Sequence, residues 1–328
     1  MKTLLINKEE TTRLLPMSEC IDVVRDVLKT MAEGVVVNPL RAATWMPDRK
    51  GLIGTMPGFV GDPPALAVKV VSVFPNNHDA GYDSHQGAVL LFDTKYGTLQ
   101  AIADAGEITA IRTAAASAVA TAELARKDAS KLALIGSGVQ ATTHLEAISL
   151  VRDISEVSVW SRNFEHAQKF AKEQSEARSI KVEAFENGRD VVADADIVCT
   201  LTAAREPVLE GEWLKAGAHI NAVGACTPKA RELDTQAVVK SRLIVDSRES
   251  TFGEAGDFLI PLAEKAIGED HIVAELGEVL VGKVEGRTSE DEVTLYESLG
   301  IAIEDVAVLR HIYEKALKEG VGTEFELS

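Results

Sequence analysis

The chain is expected to fold as an α/β protein in two domains, a doubly wound parallel sheet and an α+β domain built from both chain ends. Three observations predict this. The length of 328 residues exceeds the roughly 100–200 residues of a single domain. Short apolar runs alternate with helical-length segments over 113–300, the rhythm of βαβ units. A strand runs straight into a glycine-rich turn and a helix-compatible segment at 131–141.

The elements follow in order. After Pro16 and Met17, Ser18 can cap a helix whose apolar positions Ile21, Val24, Val27, Leu28 and Met31 recur at helical spacing, and Gly34 can end it. The β-branched run 65–74 reads as a strand buried on both faces, with Lys69 its only charge. Strands at 88–92 and 99–103 flank the turn-rich segment 93–98 in the manner of a hairpin. From residue 113 an Ala-rich helix, 113–122, opens the second texture, with strands expected at 132–135, 157–160, 182–185, 197–200, 220–223 and 243–245. The last stretch, 301–317, has helical periodicity and is expected to pack back on the first domain. The domains are therefore expected at 1–112 with 301–328, and at 113–300.

Composition narrows the function. Hydrophobic residues make up 46% and charged residues 26%, which excludes disordered, fibrous and collagen-like chains. The formal net charge of −17 repels polyanions and anionic membranes, so neither nucleic acid nor membrane is an expected partner. An acidic substrate would need a local basic cluster. The three cysteines, Cys20, Cys199 and Cys226, have neither even count nor close spacing, which fits a reducing compartment. With no signal-like segment and no apolar stretch near the ~18 residues of a membrane span, a cytoplasmic location is expected.

The turn GSGVQA at 136–141 is G-x-G-x-x-A after a strand and before a helix, the context that makes it a dinucleotide signature and the domain Rossmann-type. Gly136 permits the tight turn, Gly138 admits a pyrophosphate to the backbone, and Ala141 allows close helix packing. At the end of the second strand an acid would bind a ribose 2′-hydroxyl. The chain instead reads WSRN at 160–163, and Ser161 with Arg162 suits a 2′-phosphate. NADPH is thus favoured over NADH; the alternative is that Arg162 is a solvated loop arginine.

Arg41, Lys69 and Arg112 lie in apolar or small-residue surroundings (NPLR, AVKVV and AIRTA). A buried charge must be paired. Converging, the three would bind a carboxylate, with Lys69 also able to donate a proton; separately, each could form an ordinary internal ion pair. Ser84, His85 and Gln86 precede a strand, where His85 could hydrogen-bond or transfer protons, or be merely structural. The other histidines, 78, 144, 166, 219, 271 and 311, lack metal-ligand spacing, so no metal is expected. No G-x-S-x-G nucleophile elbow occurs.

Taken together, SHQGAVLLF at 84–92, ITAIRTAAA at 108–116, GSGVQA at 136–141, GEWLKAGAHINAVG at 211–224, AELGEV at 274–279 and SLGIAIED at 298–305 resemble the ornithine cyclodeaminase/mu-crystallin family, closest to mu-crystallin-type ketimine reductases. The resemblance covers nearly the whole chain. It implies a homodimer whose N-terminal substrate and dimerisation domain is completed by the C-terminal helix. It assigns substrate-carboxylate contacts to Arg41, Lys69 and Arg112, with Arg112 also beside the cofactor. It assigns nucleotide contacts to Ser84, His85, Gln86, Ser137, Val139, Gln140, Ser161, Arg162, Asn163, Thr202, Val223 and Leu299.

One departure separates branches of that family. Cyclodeaminases carry a catalytic Asp where this chain has Cys226, and a thiol with a reference pKa of about 8.5 does not replace such a carboxylate. The resemblance therefore implies NADPH-preferring reduction, with NADH an alternative cofactor, of Δ1-pyrroline-2-carboxylate or Δ1-piperideine-2-carboxylate to proline or pipecolate. Lys69 is the expected catalytic residue. Two alternatives stay open: a dehydrogenase of linear imines such as an alanine dehydrogenase, and a non-catalytic NADPH- and ligand-binding protein.

Overall fold

The computed structural model describes residues 2–75, 77, 81–178 and 180–326; His78 and residues 327 and 328 lie outside them. By its contacts the chain divides into two compact units, Met1–Arg112 with Gly300–Ser328, and Thr113–Leu299.

The first unit opens with β1 (Lys2–Ile6), α1 (Lys8–Leu14), where Asn7 and Glu10 form a reciprocal capping box, and α2 (Met17–Ala32). Pro16, not Ser18, stands at the N-cap of α2. Its backbone is already fixed near the required φ and it has no N–H to satisfy, so the helix starts at Met17 without a side-chain cap. Ile21, Val24, Val27 and Leu28 are buried along α2 as their spacing predicts. β2 (Val36–Val37), β3 (Ala42–Trp45), β4 (Leu52–Gly61), β5 (Pro64–Val73), β6 (His85–Phe92) and β7 (Leu99–Asp104) follow.

β5 corrects one expectation: Ala65, Ala67 and Lys69 are buried, whereas Leu66 between them is 38% exposed. The period-2 alternation puts only one face against a covering layer. β6 corrects another, because His85 and Gln86 are inside the strand, paired with Val73 and Ser72 of β5, rather than ahead of it. α3 (Ala105–Leu124) begins well before residue 113. The Asp104 carboxylate accepts the Glu107 N–H at 2.8 Å, and this cap places the helix start directly after β7.

The second unit contains β8 (Lys131–Ile135), α4 (Val139–Ser149), β9 (Glu156–Trp160), α5 (Phe164–Arg178), β10 (Lys181–Ala184), α6 (Gly188–Val192), β11 (Ile197–Thr200) and β12 (His219–Ala222). It continues with α7 (Thr235–Val239), β13 (Ser241–Val245), α8 (Arg248–Glu254), α9 (Gly256–Ala263), β14 (Ile272–Glu275), α10 (Leu276–Leu280) and β15 (Val293–Glu297). The strands form an eight-stranded sheet in the order β10-β9-β8-β11-β12-β15-β13-β14, with every neighbouring pair parallel. Ile135, Val198, Ile220, Leu243 and Leu295 carry its core, and Phe258 of α9 packs into it. The order reverses between β8 and β11, the switch point at which open α/β sheets bind ligands.

The chain then returns to the first unit as α11 (Ala302–Glu319) and β16 (Thr323–Glu326). β16 pairs antiparallel with β1, β1 parallel with β7, and the remaining strands antiparallel in the order β16-β1-β7-β6-β5-β4-β2, with β3 on β4. α11 packs on β4, β5, β6 and α2. Gly58 of β4 makes room, since a Cβ there would press on Ala302 and Val306 at 3.2 and 3.1 Å. The buried face of α11 includes Ile303, Val306, Leu309 and Ile312, and also two carboxylates, Glu304 and Asp305. Among the described residues no helix is long and apolar enough to cross a membrane.

Candidate active site

Two chemically distinct centres stand out, one in each unit. In the first, Lys69 occupies the middle of β5 between Met56 of β4 and Val89 of β6. It projects from the buried face, so its ammonium must find a partner inside the protein. That partner is Asp305 on the first turn of α11, with Nζ 2.7 Å from Oδ2. Arg112 of α3 reaches the same carboxylate from its other side, Nε donating to Oδ1 at 3.0 Å, and its Nη1 donates to Glu304 Oε2 at 2.8 Å.

Lys69 and Arg112 are thus brought together by one carboxylate, and all four groups are at most 3% exposed. The half-buried Arg41, in the loop before β3, donates to the Gly300 carbonyl at 3.3 Å. Gly300 has φ +73°, and a Cβ there would overlap the Arg112 guanidinium. A glycine is required for both reasons.

Electrostatics set the protonation of this cluster. The Lys69 pKa is lowered to about 8: burial is the main cause, and Arg112 and Arg41 push the same way against Asp305, which raises it. Burial works against ionisation of Asp305, but the adjacent Arg112 and Lys69 outweigh it and hold the carboxyl below its ordinary value. The buried members pair off, Lys69 and Arg112 against Asp305 and Glu304, and Arg41 stands near enough to help lower the Lys69 pKa. Such a cluster suits a single substrate carboxylate. Sequence reasoning missed Glu304 and Asp305, although two adjacent acids inside the apolar run 301–309 are a signal of buried charge needing a partner.

Elsewhere in this unit, Ser84 Oγ lies 2.9 Å from His85 Nδ1, and the Gln86 amide donates to the Asp83 carbonyl at 3.1 Å. Both His85 and Gln86 are exposed at the start of β6.

The second centre is the turn between β8 and α4. Gly136 has φ +124°, and a Cβ would come within 2.8 Å of the Leu201 carbonyl just past β11, so the turn lies against the switch point. Gly138 is different. It is the N-cap of α4 with ordinary φ −88° and no side-chain cap, and a Cβ on it would meet nothing within 4 Å. Nothing in the protein itself demands a glycine there; the space it leaves, over an uncapped helix N-terminus, fits a phosphate group. Ala141 is fully buried, as close packing of α4 on the sheet requires, while Val139 is exposed. Ser137 lies in the turn between the two glycines.

After β9, Ser161 is half-buried and Arg162 and Asn163 are exposed. Asn163 Oδ1 accepts the Glu165 N–H at 3.0 Å at the start of α5. No acid follows β9 until Glu165. Thr202, beyond β11, and Val223, beyond β12, sit at the carboxyl edge of the sheet, and the Leu299 N–H donates to Asp246 Oδ2 at 2.7 Å. Cys226 is half-buried, its thiol donating to the carbonyls of Val223 at 3.5 Å and Leu299 at 3.8 Å. Among the described residues no group of three or more His, Cys, Asp or Glu could hold a metal ion.

The ornithine cyclodeaminase/mu-crystallin family model matches residues 1–320. The Δ1-pyrroline-2-carboxylate reductase of Bacillus cereus is 35% identical over 324 residues, covering 98% of this chain and 99% of the relative. The ketimine reductase mu-crystallin of Mus musculus is 38% identical over 283 residues, 86% of each chain. Among solved structures, Thermococcus litoralis Δ1-pyrroline-2-carboxylate reductase in complex with NADH and L-proline superposes with a TM-score of 0.96 at 43% identity, covering 98% of this chain and 99% of that one.

Proposed function

The chain belongs to the ornithine cyclodeaminase/mu-crystallin family, and from that premise we propose that it reduces cyclic α-imino acids, Δ1-pyrroline-2-carboxylate and Δ1-piperideine-2-carboxylate, to proline and pipecolate. It is an oxidoreductase acting on the carbon–nitrogen bond of imines. The single observation that carries the substrate reading is the Lys69–Asp305–Arg112 assembly, a buried lysine and arginine converging on one carboxylate, with the lysine pKa lowered to about 8.

A reduced nicotinamide, when bound, would supply the hydride; Gly136, Gly138 and the N-terminus of α4 would hold its pyrophosphate. The protein's own groups do the rest. Arg41 and Arg112 bind the substrate carboxylate, which favours anionic over uncharged imines. Lys69, mostly protonated at neutral pH, hydrogen-bonds the imine nitrogen and delivers the proton that converts C=N to CH–NH as hydride reaches carbon. Asp305 and Glu304 hold the cations in place and offset the repulsion that three bare cations would exert on an iminium nitrogen. With Cys226 in place of an acid, no second carboxylate serves the ammonia-releasing chemistry of a cyclodeaminase.

We assign a preference for NADPH to Ser161 and Arg162, with NADH also accepted. Ser84, His85, Gln86, Ser137, Val139, Gln140, Asn163, Thr202, Val223 and Leu299 complete the nucleotide contacts in this reading. A homodimer fits the apolar side chains of the first unit left 41–59% exposed, Val37, Trp45, Met46 and Ile53. A reducing, cytoplasmic setting fits three cysteines free of disulfides. The reading is tested by initial rates of NADPH and NADH consumption with each cyclic imine and with pyruvate plus ammonia. Rapid consumption with a cyclic imine is expected; consumption only with the linear mixture would transfer the assignment to an amino-acid dehydrogenase.

A further inference from the structure

Strand pairing between β11 and β12 runs from Ile197↔His219 to Thr200↔Ala222 and then ends. Beyond it a side chain takes over from the ladder. Glu232, fully buried in the segment before α7, accepts the Thr202 N–H and the Thr202 hydroxyl on Oε1, both at 2.6 Å. Its other oxygen, Oε2, accepts the Gly224 N–H at 2.7 Å. Gly224 has no room for a Cβ, which would overlap the Thr202 carbonyl and the Glu232 carboxylate. The three residues interlock, and a carboxylate with these donors is well satisfied.

Behind Glu232 stands a second buried acid. Asp257, on the first turn of α9, accepts the backbone N–H groups of Glu232 and Leu233 on Oδ1 at 2.9 and 2.7 Å. Its Oδ2 is buried and has no hydrogen-bond partner among the described residues. Burial, and then the charge of Glu232, push its pKa up to about 8, with Arg231 pulling the other way. Glu297 at the end of β15 is also raised, by burial, Asp257, Asp246 and Glu232 in that order. Burial raises the Glu232 pKa too, against the hydrogen bonds from Thr202 and Gly224 that lower it; of the two acids, Asp257 has the oxygen without a donor and is the one poised to hold a proton, while Glu232, with three donors, is the acceptor.

We propose that Glu232 is a positioning residue for the dinucleotide site: it holds Thr202 and the Val223–Gly224 turn at the carboxyl edge of the sheet, and the proton on Asp257 sets how firmly it holds them. This rests on the dinucleotide reading of the second unit. Ionising Asp257 sets a second negative charge against that of Glu232, and the splint loosens where Thr202 and Val223 face the nucleotide.

The test is NADH binding by fluorescence titration at pH 6 to 9.5, with thermal melts of the unliganded protein over pH 5 to 9.5. In the parent protein the Kd is expected to rise at least threefold between pH 7 and 9.5. D257N keeps the Oδ1 acceptor but cannot ionise, and should lack that rise. E232Q sets an amide N–H against the Gly224 N–H; its Kd at pH 7 should be weakened at least tenfold. The melts give an independent reading, because a carboxyl raised from about 3.9 in the unfolded chain to about 8 makes stability fall with pH between those values and level above 8. D257N should lose its share of that fall. The same Kd rise in D257N, or E232Q binding as tightly as the parent, would overturn the proposal. Melts that differ as expected but no binding of either NADH or NADPH to the parent at any pH would instead overturn the dinucleotide reading, and the positioning role with it.

Discussion

Replacing Lys69 by Met separates chemistry from stability. The unbranched stem is conserved and only the ammonium is lost. Lys69 is 3% exposed, and its pKa falls from 10.5 to about 8, so carrying the charge in the folded protein costs about 3 kcal/mol relative to the unfolded chain. That cost is fully present below pH 8 and is relieved as pH rises from 8 towards 10.5, where the unfolded chain still binds the proton.

K69M removes this cost, while Asp305 keeps Arg112 Nε at 3.0 Å. Stability at pH 7 should therefore change by no more than about 2 kcal/mol in either direction. Turnover of a cyclic ketimine should fall by about 10²–10⁴-fold, the usual worth of a positioned acid. In the parent enzyme kcat should decline as pH rises through about 8, where Lys69 gives up its proton; K69M should lack that inflection. Urea unfolding and initial rates across pH on the same preparation measure the three quantities. A K69M enzyme within threefold of the parent rate, or one with the same alkaline decline, would refute Lys69 as the proton donor.

Asp305→Asn leaves two buried cations around a neutral amide. It should destabilise the protein by about 3–5 kcal/mol in urea and move the alkaline decline of kcat below pH 8, because Asp305 is what raises the Lys69 pKa. Gly136→Ala and Gly138→Ala should part company. The first forces φ +124° and a contact with the Leu201 carbonyl, so it lowers the melting temperature, whereas the second meets no protein atom within 4 Å and should weaken NADH binding on the order of tenfold with the melting temperature unchanged. A Gly138→Ala enzyme with parental Kd would remove the phosphate from that turn. Arg162→Asp should invert the NADPH to NADH ratio of kcat/KM without altering stability, and an unchanged ratio would leave the 2′-phosphate without its proposed partner.

What could be read from the chain follows burial. β11 was legible to the residue because a strand buried on both faces of a parallel sheet is a continuous apolar run, Ile197–Thr200. β4 was not, since Gly54, Pro57, Gly58 and Gly61 interrupt its pattern, and at least Gly58 is there to let α11 approach. β15, Val293–Glu297, escaped for a different reason: Thr294 and Glu297 are buried polar residues, and Thr294 is satisfied by the nearby Arg287 and by His219 and the Leu124 carbonyl, which are far away in sequence. The glycine turn could be found because its conformation is local. The acids that complete the centres were harder to place: Asp305 shows only as a charge inside an apolar run, and Glu232 acquires meaning only from donors brought in by other elements.

That asymmetry bears on how a chain of net charge −17 would take the anionic substrate proposed for it. The long-range field is unfavourable and is screened beyond about 8–10 Å at physiological salt, so attraction has to be built at short range and out of water. Arg112 and Lys69 do this from rigid elements, the interior of α3 and the middle of β5. Two cations buried so close together would lower each other's charge stability without an acid between them. Asp305 supplies it, leaving Lys69 close enough to neutrality in pKa, about 8, to release a proton during turnover. A lysine in water, near 10.4, would hold its proton too tightly for that task. The carboxylate pair on α11 is thus as much a part of the proposed chemistry as the cations it holds, and removing it should cost both binding and the pH at which the enzyme works.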